Sequence, residues 1–282
     1  MKNIKHLLLP FVALCIITSC SNDDTPTNDD VANEGNFFPS TVNDFWKYDV
    51  SNTNNATNET TMSQDSLYVV SETDTNFTLG VNNGLPANGA VLALMTSGDL
   101  TRTNTTLTLD GSLDLPSEIT ELIDFDINLV DFLLYNTEAA NATELASYGN
   151  TITQNFNGIP LTITYQLTST SLGFTENLTL NNVAYTDVVS SKLTLAISIT
   201  ASVEVVPGFP IDIAILESQD ILDSTNYFAK NIGLVHADSA AAYQINPLAV
   251  TAIETALGTD FPIPASGSST ITQVLVAYDI AE

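Results

Sequence analysis

The sequence predicts a mainly β fold: a large curled antiparallel sheet, half-barrel-like, with two or three short helices on its concave side. Two observations carry this expectation. Leu193, Leu195, Ile197, Ile199, Ala201, Val203 and Val205 alternate with mostly polar residues from Thr194 to Glu204, which is the period of a strand with one buried face. The alternation resumes at Ile211, Ile213 and Ile215 after Val206-Pro207-Gly208-Phe209-Pro210, whose Pro-Gly pair fits a turn. The two runs read as a long antiparallel hairpin. At ~3.3 Å per residue the first run alone spans roughly 43 Å. A compact domain of this size is about 45 Å across, so the strand crosses the whole domain, which suits a large curled sheet.

Taken from the N-terminus, the chain divides into three parts. Lys2 and Lys5 precede an apolar run, Leu7 to Ile17, that is too short to span a bilayer comfortably. Residues 1–19 therefore read as a signal peptide. Residues 20–36 read as a tether: Ser21 to Asn36 has almost no apolar side chain to bury and is expected to be disordered, with a reach of roughly 20–25 Å. Residues 37–282 form one apolar-patterned block, long enough for a single β-rich domain.

Within that block the strand period recurs. Leu107, Leu109, Leu113 and Leu115 alternate with Thr108, Asp110, Ser112 and Asp114; Leu161, Ile163, Tyr165 and Leu167 alternate with Thr162, Thr164 and Gln166. Val274, Val276, Tyr278 and Ile280 do the same and are expected to face inward. Three helices are expected. Asn246 as N-cap, Pro247 at the first position and Gly258 after Leu257 bracket one, with Val250, Ile253 and Leu257 on a stripe. Ser117 caps a short one carrying Ile119, Leu122 and Ile123, and Thr137 to Ser147 forms a third, ended by Gly149.

Composition excludes several functions. From Cys20 onward only Lys47, Arg102, Lys192 and Lys230 are basic, against 33 acidic residues. Nucleic acid and basic-patch binding to anionic lipid are therefore excluded, because both need Lys and Arg to neutralise phosphates. The acidic excess also predicts a monomer. Cys15 falls within the signal peptide and Cys20 is the first residue after it, so no disulfide, thiolate metal site or cysteine nucleophile is expected. His236 is the one histidine of that part, which leaves little for a zinc site or an imidazole base. No metal, cofactor or catalytic set is expected.

Ile17-Thr18-Ser19-Cys20 resembles the lipobox of bacterial lipoproteins, and the resemblance implies that Cys20 is lipidated and anchors the chain in a membrane. Asn22, Asp23 and Asp24 resemble the acidic export signal of surface-exposed lipoproteins in the Bacteroidota. Phe37 to Val50, with its Phe-Pro, Asn-Asp, Trp and Tyr pattern, is similar to the opening of uncharacterised flavobacterial lipoproteins. Tyr185-Thr186-Asp187-Val188-Val189 followed by Asn226 to Val235 is similar to their second signature. This resemblance implies a curled, half-barrel-like domain loosely similar to LolA- and LppX-type lipid carriers, facing the cell exterior from the outer membrane. It implies no catalytic residues.

Other candidates have plain readings. Asp124, Asp126 and Asn128 alternate as in a calcium loop, but Leu129 stands where such a loop needs glycine; a strand with Phe125, Ile127 and Leu129 inward is expected instead. Glu217, Asp220 and Asp223 read as a solvated loop, Trp46 as core, and His236 as a strand-end residue. Six Asn-x-Thr sequons, at Asn55, Asn58, Asn76, Asn104, Asn141 and Asn177, follow from composition. Asp65-Ser66-Leu67, Asp223-Ser224-Thr225 and Asp238-Ser239-Ala240 are similar to the O-glycosylation motif of Bacteroidota. Three functions are compatible with this sequence. The first is a non-enzymatic, lipid-anchored surface lipoprotein with a binding or structural role and a packed interior. The second is a carrier of an apolar, lipid-like ligand, and the third a glycan-binding or glycan-processing protein.

Overall fold

The computed structural model describes residues 34–281 apart from positions 116, 124, 207 and 259. Cys20, Asn22, Asp23 and Asp24 lie outside the described residues, as do the side chains of Ser117, Val205 and Leu257. Six strands make a first up-and-down run: β1 (Phe45–Asn54), β2 (Glu59–Glu72), β3 (Asn76–Val81), β4 (Asp99–Arg102), β5 (Thr106–Leu113) and β6 (Ile127–Asn136). Six more make a second: β7 (Glu144–Phe156), β8 (Ile159–Leu180), β9 (Val183–Val206), β10 (Phe209–Ala229), β11 (Gly233–Gln244) and β12 (Ser266–Asp279). Between strands lie α1 (Ala90–Met95), the single turn α2 (Ser117–Thr120) and α3 (Pro247–Leu257).

Antiparallel pairing of β1 with β12 joins the two runs into one twelve-stranded sheet, with β6 and β7 at its ends. The sheet is mainly antiparallel β and curls nearly into a barrel, as the sequence predicts. Its end strands are consecutive in sequence and meet without a ladder. There the Tyr148 hydroxyl donates to the Val130 carbonyl, and the Tyr148 ring meets Phe132 edge-on at 5.9 Å.

One end of the barrel is plugged by aromatic rings. Phe37 and Phe38 are fully buried. Phe38 lies 5.1 Å from Trp46 and 5.6 Å from Phe77, and Phe37 packs against Tyr135 and Phe174. Gly233, at φ +104°, approaches Phe38 and Trp46 so closely that a Cβ would sit 3.3 Å from each. The ladder between β11 and β12 stops at His236 and Val274. Beyond it, Trp46 Nε1 donates to the Ile232 carbonyl at 2.5 Å and Tyr48 Oη to the Leu234 carbonyl at 2.8 Å. Two side chains of β1 thus reach past β12 to the start of β11 and the residue just before it. Gly35 and Asn36, counted in the tether by sequence, are bonded into this end: Gly35 N–H to Asn104 O at 2.9 Å, and Asn36 O from Asn231 N–H at 2.5 Å.

The predicted hairpin is β9–β10, and its strands are longer than the alternation alone suggested. Leu193, Leu195, Ile197, Ile199 and Val203 face inward as expected, whereas Ile211 is 47% exposed beside the exposed Phe209 at the hairpin tip. The predicted facing of β12 is reversed. Gln273 and Leu275 point inward, while Val276 and Tyr278 are about half exposed. Gln273 and Leu275 pair with the buried Val50 and Tyr48, on the N-terminal side of a register shift that makes Val276 an extra residue, and the apolar alternation from Val274 is out of phase with these pairs. Thr137 to Ser147 is not a helix. Ala142 sits at φ +64°, its N–H bonds to Ser171 O, and Ser171 N–H returns to Thr143 O, so the segment turns into β7. Gly149 lies inside β7, where a Cβ would come within 2.5 Å of the Gln166 side chain. Helix α3 has its predicted caps: Asn246 Oδ1 accepts from Leu248 N–H at 3.0 Å, and Gly258 is left-handed at φ +70°.

Burial pushes the Tyr48 phenol well above its ordinary value of 10.0, with Tyr185 adding to the rise. Burial raises Tyr135 as well, outweighing the opposing pull of Arg102. The unfolded chain ionises both near pH 10 and the folded protein does not. Stability is therefore complete below that pH and falls as pH rises above it. Tyr48→Phe should lower unfolding free energy at neutral pH by about 1–3 kcal/mol, by stranding the Leu234 carbonyl, and should flatten the alkaline loss; denaturant titrations at pH 7 and 11 check both. Ile197→Ala, at a side chain 1% exposed, should cost about 2–5 kcal/mol in the same assay.

Candidate functional site

Opposite the aromatic plug the barrel is only partly filled, and helix α1 sets what remains. Asp65 is fully buried and pins the loop before the helix. Its carboxylate accepts from Asn88 N–H (3.0 Å), Gly89 N–H (2.9 Å), Asn88 Nδ2 (2.6 Å) and Asn82 Nδ2 (2.6 Å). These amide donors take the place of a counter-charge for a buried anion. From the other side Gln273 Oε1 accepts the Val91 N–H at 3.0 Å. Held at both points, α1 drops Val91, Leu92, Leu94 and Met95 into the core. The site needs glycine at 89, because a Cβ there would lie 2.2 Å from the Gln273 amide carbon.

The space left beside α1 is a pocket of about 280 Å³. Ala90, Ala93 and Leu94 form one wall, Leu113 and Leu115 another, and Leu222, Ala241 and Ile271 the floor; Asn52, Ser112, Asp114 and Ser269 add polar atoms. A neighbouring pocket of about 150 Å³ shares Ala241 and Ser269 and is bounded by Ile119, Ile221, Tyr243 and Pro264. One residue pair below the floor, Ser224 bonds to Asn226 Oδ1 at 2.9 Å and to Ser239 at 2.8 Å, all three buried. Neither lining contains a Lys, Arg or His. Arg102 Nη1 is bonded to Phe38 O at the plugged end, and Lys192 is paired with Asp223 at 2.9 Å. An anionic headgroup would find no cation in the pocket, whereas a neutral apolar group would fit it.

The other sequence candidates fall elsewhere. Glu217 and Asp220 are exposed on β10, a strand rather than the predicted loop, and Asp223 is held by Lys192 and by Thr194 Oγ1 at 2.7 Å. Ile127 and Leu129 are buried and Asp126 and Asn128 exposed, the strand reading of the calcium-like stretch. Among the described residues no three His, Cys, Asp or Glu side chains cluster closely enough to hold a metal. His236 is not at a strand end. It is 5% exposed within β11, with Nε2 2.8 Å from Asp238 Oδ2 and Nδ1 3.2 Å from Asn181 Nδ2, so both ring nitrogens are engaged. Trp46 is core, as expected. Ser224 and Ser239 are buried and bonded to each other, so two of the three glycosylation-like motifs are closed to modification in the folded chain. Reading the sequence missed α1 and the pocket beside it; Asn88-Gly89 before a helix-favouring Ala90-Val91-Leu92-Ala93-Leu94-Met95 run was the available signal.

Gly89→Ala should destabilise the protein by about 1–3 kcal/mol through overpacking. Gln273→Ala in the same chain should recover part of that loss, which a double-mutant cycle by chemical denaturation measures.

No known family model matches the chain, and no curated protein is significantly similar to it. Among solved structures it is similar to a LolA superfamily protein, NE2245 from Nitrosomonas europaea. The likeness covers 87% of this chain and 88% of that one, at 8% identity and a TM-score of 0.20. At that score the likeness carries no argument, and the functional reading rests on the geometry above.

Proposed function

We propose that the protein is a non-enzymatic lipoprotein of the flavobacterial kind, anchored in the outer membrane through lipidated Cys20. In this reading Asn22, Asp23 and Asp24 route it outward, and it binds its partner at the end of the barrel that faces away from the membrane. The observation that carries the reading is the polarity of the domain. The chain enters the domain at the plugged end, where Gly35 and Asn36 are bonded beside Lys230 and Asn231 at the C-terminal end of β10. The open end lies toward the other end of β10, a strand of 21 residues, roughly 70 Å long at the usual rise. A tether reaching roughly 20–25 Å leaves that end pointed outward. A protein that drew lipid from its own membrane would need the opposite arrangement.

The anchor has a direct test. Cys20→Ser should abolish incorporation of an alkyne fatty acid in growing cells, since two or three acyl chains attach through that cysteine; undiminished label on the variant refutes the anchor. Protease added to intact cells should remove the domain, and Asp23→Ala with Asp24→Ala should protect it. A domain protected in wild-type cells would place it in the periplasm.

A carrier role is the second reading, favoured by the apolar walls of the 280 Å³ pocket. That volume lies just under the smallest usual ligand sites, about 300 Å³, and suits at most one short neutral group. Apart from this pocket and its 150 Å³ neighbour, the interior is filled by α1, α3 and the aromatic plug, which supports the scaffold. Native mass spectrometry of the purified full chain should show no stoichiometric lipid. A one-to-one adduct, displaced by Ala93→Trp, would decide for the carrier.

A further inference from the structure

We infer that the free edge of β7 pairs with the same edge of a second copy of this chain, tip to tip, so that two copies anchored in facing membranes hold each other. β7 ends the sheet, and among the described residues no strand is laddered to its outer side. The turn after it is Asn157-Gly158, at φ +50° and +92°, with Phe156 opposite Ile159. In such a two-residue hairpin the flanking pair exchanges both hydrogen bonds. Even-numbered residues of β7 therefore bond to β8, and Thr151, Thr153 and Asn155 turn their N–H and C=O outward. Thr151 N–H is indeed taken by the Asn150 side chain, at 2.8 Å. The seam contact sets Tyr148 opposite Val130, so by about Thr151 β7 has run past the start of β6 at Ile127. From there on nothing described covers the edge.

Sheet edges are normally guarded by charge, proline or a kink. β6 has such a guard in Asp131, exposed at φ +52°. β7 has none. From Leu145 to Thr175 the chain carries no Asp, Glu, Lys, Arg or His, within a protein of formal charge −27. Two copies repel each other over the rest of their surface and do not repel here. Charge alone predicts a monomer; this uncharged edge provides the exception.

Symmetry fixes the geometry. A strand pairing with its own copy about a two-fold axis must be antiparallel. Centred on Thr153, the axis sets Thr153 against its counterpart and Thr151 against Asn155, for roughly four hydrogen bonds while Asn150 holds the Thr151 N–H of each copy and about six, two per facing pair, once it lets go. The paired stretch lies at the open end of the barrel, so the two entry ends point in opposite directions. Pairing thus bridges two membranes and rests, for that step only, on the Cys20 anchor. So small a contact is weak singly and effective in numbers.

The thiol-poor sequence makes the test clean. The full mature chain with Thr153→Cys, treated with diamide, which takes up the two electrons and two protons released, should give a disulfide-linked homodimer. It should form at least ~10-fold faster than from Thr164→Cys on the neighbouring strand, since directly opposed strand residues are within disulfide reach. Thr151→Lys with Asn155→Lys should abolish the dimer and keep the strand content by circular dichroism, the lost bond from Gly158 N–H to Asn155 Oδ1 lowering the melting temperature by only a few degrees. Equal rates at 153 and 164, or linkage of 153 in cells only to a different protein, would overturn self-pairing whatever the anchor. The lipidated full chain in two populations of phosphatidylcholine vesicles, with attachment verified by flotation, should cluster them, and the lysine variant should not. Homodimer without clustering would overturn the bridging of membranes.

Discussion

A sheet of twelve strands curled on itself encloses more space than its own side chains can fill. Eight strands make a barrel just narrow enough to pack solid, and much larger ones leave a channel. Everything else in this molecule answers that constraint. At one end the chain folds its own leading residues, Phe37 and Phe38, into the opening and rings them with Trp46, Phe77, Tyr135 and Phe228. Along the rest, α1 and α3 lie against the inner face, and α1 is held there by Asp65 and Gln273 rather than by its own helical propensity. Six residues make a helix too short to stand alone. The remaining pocket is the volume these inserts do not reach.

Two stretches distant in sequence, Phe37 to Val50 and Asn226 to Val235, come together at the plugged end. Phe38 and Trp46 from the first pack against Phe228 and Gly233 from the second, and Trp46 bonds the carbonyl of Ile232. A left-handed glycine beneath two rings, and a tryptophan placed to satisfy a strand that has left its neighbour, are requirements of closure. These contacts are how the barrel is sealed at this end.

Much of the fold was legible because burial on one face leaves a period of two. β5, β8 and β9 follow their Leu and Ile alternation, and α3 follows its Asn-Pro start and Gly stop. The failures have local causes. In β12 the inward Gln273 broke the apolar alternation, and the bulge at Val276 interrupted its period. In α1 five of six residues are aliphatic or alanine and the sixth is methionine, so no polar stripe exposed the helical period. Between Thr137 and Ser147 good helix formers were overruled by bonds to Ser171. The pocket could not be read at all. Its walls are alanines, serines and leucines drawn from α1, β5, β10, β11 and β12, none unusual where it stands in the sequence.

The pairing of β1 with β12 sets Phe45 against Asp279 and Asn54 against Ser269, partners more than two hundred residues apart. Contacts so distant along the chain are slow to form, since a long loop must close before they gain anything. During synthesis or secretion the first strand has to wait, one edge open, until the last has emerged. A chain threaded through a membrane from its N-terminus would thus remain unable to close its sheet until transport was nearly complete. The same topology makes premature termination unforgiving, because loss of the fourteen residues of β12 removes the strand that joins the two halves.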